Sequence, residues 1–229
     1  MTDDTAIGFI TAEDPRTHGL DRLTLADWRR QMSELYARVR SVATEDPTAA
    51  WRDWVATRER LFREHSQSPV PAAGRAAFRA RHFEYDPAFR FEVEVVPDAP
   101  ESSRGDGGLD LELPVSAGGT MSFSRIGWLN VPFRDGPRRL ALYWMAGYAG
   151  GLFLPFRDAT NGAETYGAGR YLLDAAKSAD LGGETDRTLI LDFNFAFQPS
   201  CAFDPKWACP LAPPENRLDV AVRAGERIA

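Results

Sequence analysis

Cysteine and histidine are scarce in this chain of 229 residues, with two of the first and three of the second. Cys201 and Cys209 are too few for a disulfide framework and read as buried, inert thiols that stay reduced in the cytosol. As metal ligands they lack partners: His18, His65 and His82 are distant in sequence and no second cysteine pair exists. The expectation is therefore no metal and no cofactor. No stretch approaches the ~18 consecutive apolar residues of a membrane span. The opening "MTDDTAIGFITAEDPRTHGL" is acidic and has no continuous apolar run, so it reads as neither a secretory signal nor an anchor. A cytoplasmic location without membrane partners follows as the expectation. Positive charge is also not in excess. The formal net charge is -6, and nearly all the basic residues are arginines, many of them interleaved with acids in the N-terminal part. That pattern describes a solvated helical face and argues against a nucleic-acid partner. A phosphate-binding glycine loop is missing too, since "GYAGGLF" lies between strand patterns with no helix after it.

What is present is an ordinary globular composition, 44% hydrophobic and 26% charged, in a chain long enough for one domain, or one domain with an appendage. Over Thr24 to Ala43 the residues Leu25, Trp28, Met32, Leu35, Val39 and Val42 recur at steps of three and four. They predict a helix with one narrow apolar stripe, opened by Thr24 as N-cap. A second helix begins at Asp46-Pro47, a cap followed by proline at the first helical position, and carries Trp51, Trp54, Val55, Arg58, Leu61 and Phe62 on one face. It ends near His65, and "SPVPAAGRAAF" then connects, with room for one short helical turn. From Phe89 the period drops to two in "FRFEVEVV". The polar loop "PDAPESSRGDGG", read as the most disorder-prone stretch, precedes candidate strands at Leu109–Leu113, Met121–Phe133, Arg139–Tyr148, Gly151–Arg157, Glu164–Leu173, Thr188–Phe197 and Leu218–Arg223. Consecutive short strands without long helices between them mean antiparallel pairing. The predicted fold is mainly β, an antiparallel barrel or sandwich, with an N-terminal helical pair, α+β in all. Its parts are an extension over residues 1–22, a helical segment over 23–88 and a β domain over 89–229.

Two segments of the β domain carry most of the chemistry. "RDATNGAETYGAGRYL" turns at Asn161-Gly162. Alternation along its return places Glu164, Tyr166 and Arg170 on one face and Gly167 and Gly169 on the other. An acid, a phenol and a guanidinium in a row are costly on an inner strand unless satisfied or used. One reading is a corner held by ion pairs among Arg157, Asp158, Glu164 and Arg170; the other is a site. In "TLILDFNFAFQ" the same alternation sets Asp192 beside Asn194, either as a buried network or as part of a small-molecule site. Glu215-Asn216, after two prolines, caps a turn or reaches into the site.

"FLPFRDATNGAETYGAGRYL" and "LDFNFAFQPSCAFDPKWACPLAPPENRLDV", with the Trp- and Arg-rich N-terminal helices that end in "LFREHSQSP", resemble the family of bacterial and archaeal proteins grouped as domain of unknown function 1684. The resemblance covers nearly the whole chain from about Leu23 and joins the two motifs into one signature. It implies no activity, substrate or cofactor.

Two functional readings from different classes stand on this sequence. The first is a small-molecule-binding protein and enzyme acting on a small carboxylate or phosphate by acid-base chemistry. In it Glu164, Asp192 and Tyr166 act on the substrate, and Arg157, Asp158, Arg170, Asn194 and Cys201 hold it, an arginine fork clamping the anion. The second is a non-catalytic ligand-binding or protein-interaction module docking through the helical pair, which exposed Trp51 and Trp54 would favour.

Overall fold

The periodic segments become two helices and one curled sheet in a computed structural model that describes residues 18–98, 109–147 and 150–228. Helix α1 (His18–Val42) and helix α2 (Pro47–Glu64) run antiparallel, with a short helix α3 (Ala72–Arg75) after them. Asp46 caps α2 as expected, its carboxylate accepting the Ala49 amide at 2.9 Å. Thr24, however, is no cap: α1 already includes it, and its hydroxyl donates back to the Asp21 carbonyl at 2.8 Å. The apolar stripes meet where the Trp54 indole N–H donates to the Tyr36 hydroxyl at 3.1 Å, and both side chains are buried. Each buried Leu, Met or Phe along this seam contributes about 1.5–3 kcal/mol of transfer free energy. Trp54 is therefore not the exposed docking residue the second reading required, and Trp51 is half-buried.

The β domain is one antiparallel, half-barrel sheet in the order β6-β5-β4-β3-β1-β7, α+β in all with the helices. Its strands are β1 (Arg90–Pro97), β2 (Leu109–Pro114), β3 (Thr120–Val131), β4 (Arg138–Met145), β5 (Gly151–Phe156), β6 (Arg170–Asp174) and β7 (Thr188–Asp192). The long strand β3 is the spine. It pairs along one edge with β4 and along the other with β2 and then β1, and its register shifts between Arg125 and Gly127. That irregularity bends the strand. Both faces of the sheet are buried. Along β4, Ala141 and Tyr143 pack towards the helices while Leu140 and Leu142 join the opposite cluster with Leu129, Phe156 and Phe193. The polar loop after Asp98 and the first 17 residues lie outside the described part.

Three expected strands are shorter than their alternation suggested or are not formed. The return of "RDATNGAETYGAGRYL" is a turn through residue 169, and β6 starts only at Arg170. The Thr160 carbonyl accepts the amides of Ala163, Glu164 and Thr165, and Gly162 and Gly169 take φ of +83° and +104°. Strand β7 stops at Asp192 because that carboxylate caps a one-turn helix over Phe193–Phe195. Leu218–Arg223 is a strap rather than a strand, laced to the segment after β5 through Leu218 N–H to Arg157 O and Ala159 N–H to Val220 O.

Candidate functional site

Arg170 enters β6 with its side chain fully buried. Its guanidinium donates to the carbonyls of Ala224, Glu226 and Val222 and to Asp158 Oδ2, the last at 2.9 Å. Burial pulls its pKa down and the Asp158 carboxylate works against that. Asp158 spends its other oxygen on the Thr160 amide and hydroxyl and the Val222 amide. The pair thus anchors the C-terminal strap, and its polar atoms face protein. Glu164 turns outward to Arg223 at 2.9 Å, which holds the carboxyl below its usual range. Arg157 reaches the Gly167 carbonyl at 3.0 Å. The expected row of Glu164, Tyr166 and Arg170 does not form, because the turn breaks the alternation that would have aligned them. Gly169 is where the turn meets the sheet: a Cβ there would lie 2.5 Å from the Phe156 carbonyl oxygen.

Asp192 and Asn194 are also brought together, but as a clamp. Asp192 Oδ1 accepts the backbone and side-chain N–H of Asn194, and Oδ2 accepts the Tyr85 hydroxyl at 3.0 Å and Arg90 Nη1 at 3.2 Å. The Asn194 amide pairs with both backbone groups of Asp86. Burial raises the Asp192 carboxyl and the Asn194 bonds oppose it. This network fixes the chain just ahead of β1 against the end of β7.

The helix-facing side of the sheet meets the loop 200–210 at a cleft holding a cavity of about 60 Å³. One wall is apolar, with Phe123, Met145 and Phe153 from β3 to β5; the other carries Tyr171, Asp174, Lys177, Trp207 and Cys209. Asp174 ends β6 and caps the turn that follows, accepting the Ala176 amide at 3.0 Å. The same turn swings Lys177 back, setting Nζ 3.5 Å from Asp174 Oδ2 and over the rings of Tyr171 and Phe197 at 5.4 and 5.2 Å. Burial raises the Asp174 carboxyl, with the Lys177 charge partly offsetting it. Beyond Lys177 and Trp207 the space continues towards α1 and α2, beside Trp28, Arg58 and Phe62.

At the rim, Cys209 and Cys201 meet although they are eight residues apart in sequence: the Cys201 amide donates to Cys209 Sγ at 3.3 Å. The Tyr166 hydroxyl donates to Cys201 Sγ at 3.9 Å. The thiol hydrogen bond from Cys209, helped by Ser116 and Tyr166, draws Cys201 down to about 6 against the effect of burial, and Cys209 is pushed up correspondingly. Burial and the neighbouring Cys201 raise Tyr166 to about 12. Of the residues expected at a site, Tyr166 and Cys201 therefore meet next to Cys209, which lines the cleft, and Arg157, Asp158, Glu164, Arg170, Asp192 and Asn194 are held elsewhere. Asp174, Lys177 and Cys209 were not foreseen. One signal was available: the chain has two lysines, of which Lys177 lines this cleft and Lys206 lies over the ring of Trp207 at 5.2 Å. Among the described residues no three His, Cys, Asp or Glu side chains gather as a metal-ligand set, and no helix is long and apolar enough to cross a membrane.

Fold and cleft together define an α+β protein with a half-barrel antiparallel sheet and a small cavity beside buried charges and thiols. The chain belongs to the family described as Protein of unknown function (DUF1684), whose model matches residues 77–227, the whole sheet and both signature motifs. Among solved structures it is similar to an uncharacterized protein of Haloarcula marismortui determined in solution by NMR. The two are 31% identical over 81% of this chain and 96% of that one, with a TM-score of 0.58. No curated protein matches the chain.

Proposed function

We propose that this protein binds a small organic anion in the cleft beneath Trp207 and acts on it by acid-base chemistry. The observation that carries the reading is the Lys177–Asp174 pair, an ammonium and a carboxyl 3.5 Å apart and mostly buried at the end of an apolar wall. Placing two charges there costs several kcal/mol per ion. An ammonium has three donors, of which one carboxylate takes one or two, so a ligand carboxylate or phosphate has donors left to meet. The carboxyl that would move a proton is Asp174, whose raised proton affinity suits a general acid or base. Asp174 takes the place that sequence gave to Glu164 and Asp192. Size narrows the substrate. One water needs about 10–15 Å³ on the same scale, so the cavity holds roughly four to six waters, the body of a short-chain acid.

The test is a thermal-shift screen of small carboxylates and phosphates on the parent, Lys177→Met and Asp174→Asn proteins, each checked for its fold by near-UV circular dichroism. The reading expects ligands that stabilise the parent and fail to stabilise Lys177→Met. It expects Asp174→Asn to bind them without turning them over. No stabilising acid, or one indifferent to Lys177→Met, would contradict it.

A further inference from the structure

We propose that Cys201 and Cys209 form a redox-active dithiol that exchanges with low-molecular-weight disulfides, an activity that needs no ligand in the cleft. The geometry is that of a held pair. Cys209 is fastened to the turn between β2 and β3 on two sides, its amide donating to Ser116 Oγ at 3.0 Å and its carbonyl accepting the Ser116 amide at 3.0 Å. The Ser116 hydroxyl in turn donates to the Trp207 carbonyl at 2.8 Å, which closes the loop between the cysteines. Cys201 sits in a one-turn helix over Ser200–Ala202, with its amide on Cys209 Sγ and the Tyr166 hydroxyl on its own sulfur. The loop thus holds the Cys209 sulfur against the backbone of Cys201, and Cys209 lines the cleft. The contacts also favour the thiolate at Cys201, the form that attacks a disulfide.

The reaction runs in two exchanges. The Cys201 thiolate attacks one sulfur of the external disulfide, whose S–S bond breaks; one thiolate leaves and a mixed disulfide forms on Cys201. Cys209 gives up its proton, and its sulfur attacks Cys201 Sγ in that mixed disulfide, expelling the second thiolate. Two protein thiols are oxidised to one disulfide, and the external disulfide is reduced to two thiols that take up the two protons.

Oxidised glutathione is the probe, with intact-mass and peptide-mapping readouts on the full chain. The parent should lose two hydrogens, carry no glutathione, map a Cys201–Cys209 bridge and return to the dithiol with reduced glutathione. Cys209→Ser should accumulate glutathione on Cys201, and Cys201→Ser should accumulate none. The parent result stands alone should either variant fail to fold. A parent that stays a dithiol while the same reagent modifies it in denaturant, or that keeps glutathione on either cysteine without bridging, overturns the proposal. So does a Cys201→Ser protein that is modified at Cys209. The exchange is read by mass on the two cysteines and the acid binding by the thermal shift lost in Lys177→Met, so either can fail while the other stands.

Discussion

Replacing Arg170 by methionine keeps much of the side-chain volume and removes the charge. The Asp158 carboxylate then stays buried without its 2.9 Å partner, since neither side chain has measurable exposure. Breaking a buried pair in this way costs about 3–5 kcal/mol. The carbonyls of Val222, Ala224 and Glu226 lose their donor as well. Against a total stability of ~5–15 kcal/mol this is severe. At about 2–4 °C per kcal/mol for a chain of this size, the melting temperature should fall by roughly 6–20 °C. Differential scanning calorimetry reads it directly. Adding Asp158→Asn to Arg170→Met should cost less than the sum of the two single changes, because the orphaned charge is what Arg170→Met leaves behind. A melting temperature within about 2 °C of the parent for Arg170→Met would refute this account of the strap.

Glu164→Gln breaks only a solvent-exposed pair with Arg223, so the melting temperature should stay within error of the parent in the same calorimetric scan. Asn216→Ala should destabilise by about 3 kcal/mol or more, measured by urea titration. The fully buried Asn216 amide holds the Ala141 N–H and C=O and the Pro155 carbonyl at 2.7–2.9 Å, and all three would be orphaned. His82 is buried against Trp51 and Trp54, 3.8 Å from Glu226 and near Arg58 and Glu59; burial lowers its pKa from the ordinary 6.5. The unfolded chain then binds the proton first as pH falls, so the His82 contribution is whole above 6.5 and is lost from there down towards the lowered value. The stability of the parent relative to His82→Gln should therefore shrink between neutral pH and about pH 5, as read by urea titrations across that range.

Much of the fold was legible because it rests on periodicity. The stripes of α1 and α2, the cap at Asp46 and the cores of β1 to β5 follow from residues three or four apart, or two apart, and packing agrees with them. Where the account failed, local side-chain bonds beat alternation. Asp192 has the pattern of a mid-strand residue, yet its carboxylate serves better as a cap and ends β7. Glu164 and Arg170 are six apart on an apparent strand, yet two glycines at positive φ turn the chain between Asp158 and Arg170. The charge clustered in the first motif builds a polar anchor for a C-terminal strap that arrives from over 50 residues away. The cleft was the least legible part. Lys177 comes to the cleft only through the turn after β6, and the two cysteines meet only because Ser116, more than 80 residues earlier, pins one of them. Asn216 shows the same limit, since its partners lie in β4 and β5.

The central claim is that the cleft around Lys177 is where this protein meets its ligand. The most direct measurement is a two-dimensional amide NMR titration of the parent with the strongest stabilising acid from the screen. The account predicts shifts concentrated at Ala176, Lys177, Ser200, Cys209 and the Trp207 indole, and their loss in Lys177→Met. Shifts gathered instead around Glu164 and Arg223, or around Asp192 and Asn194, would contradict it.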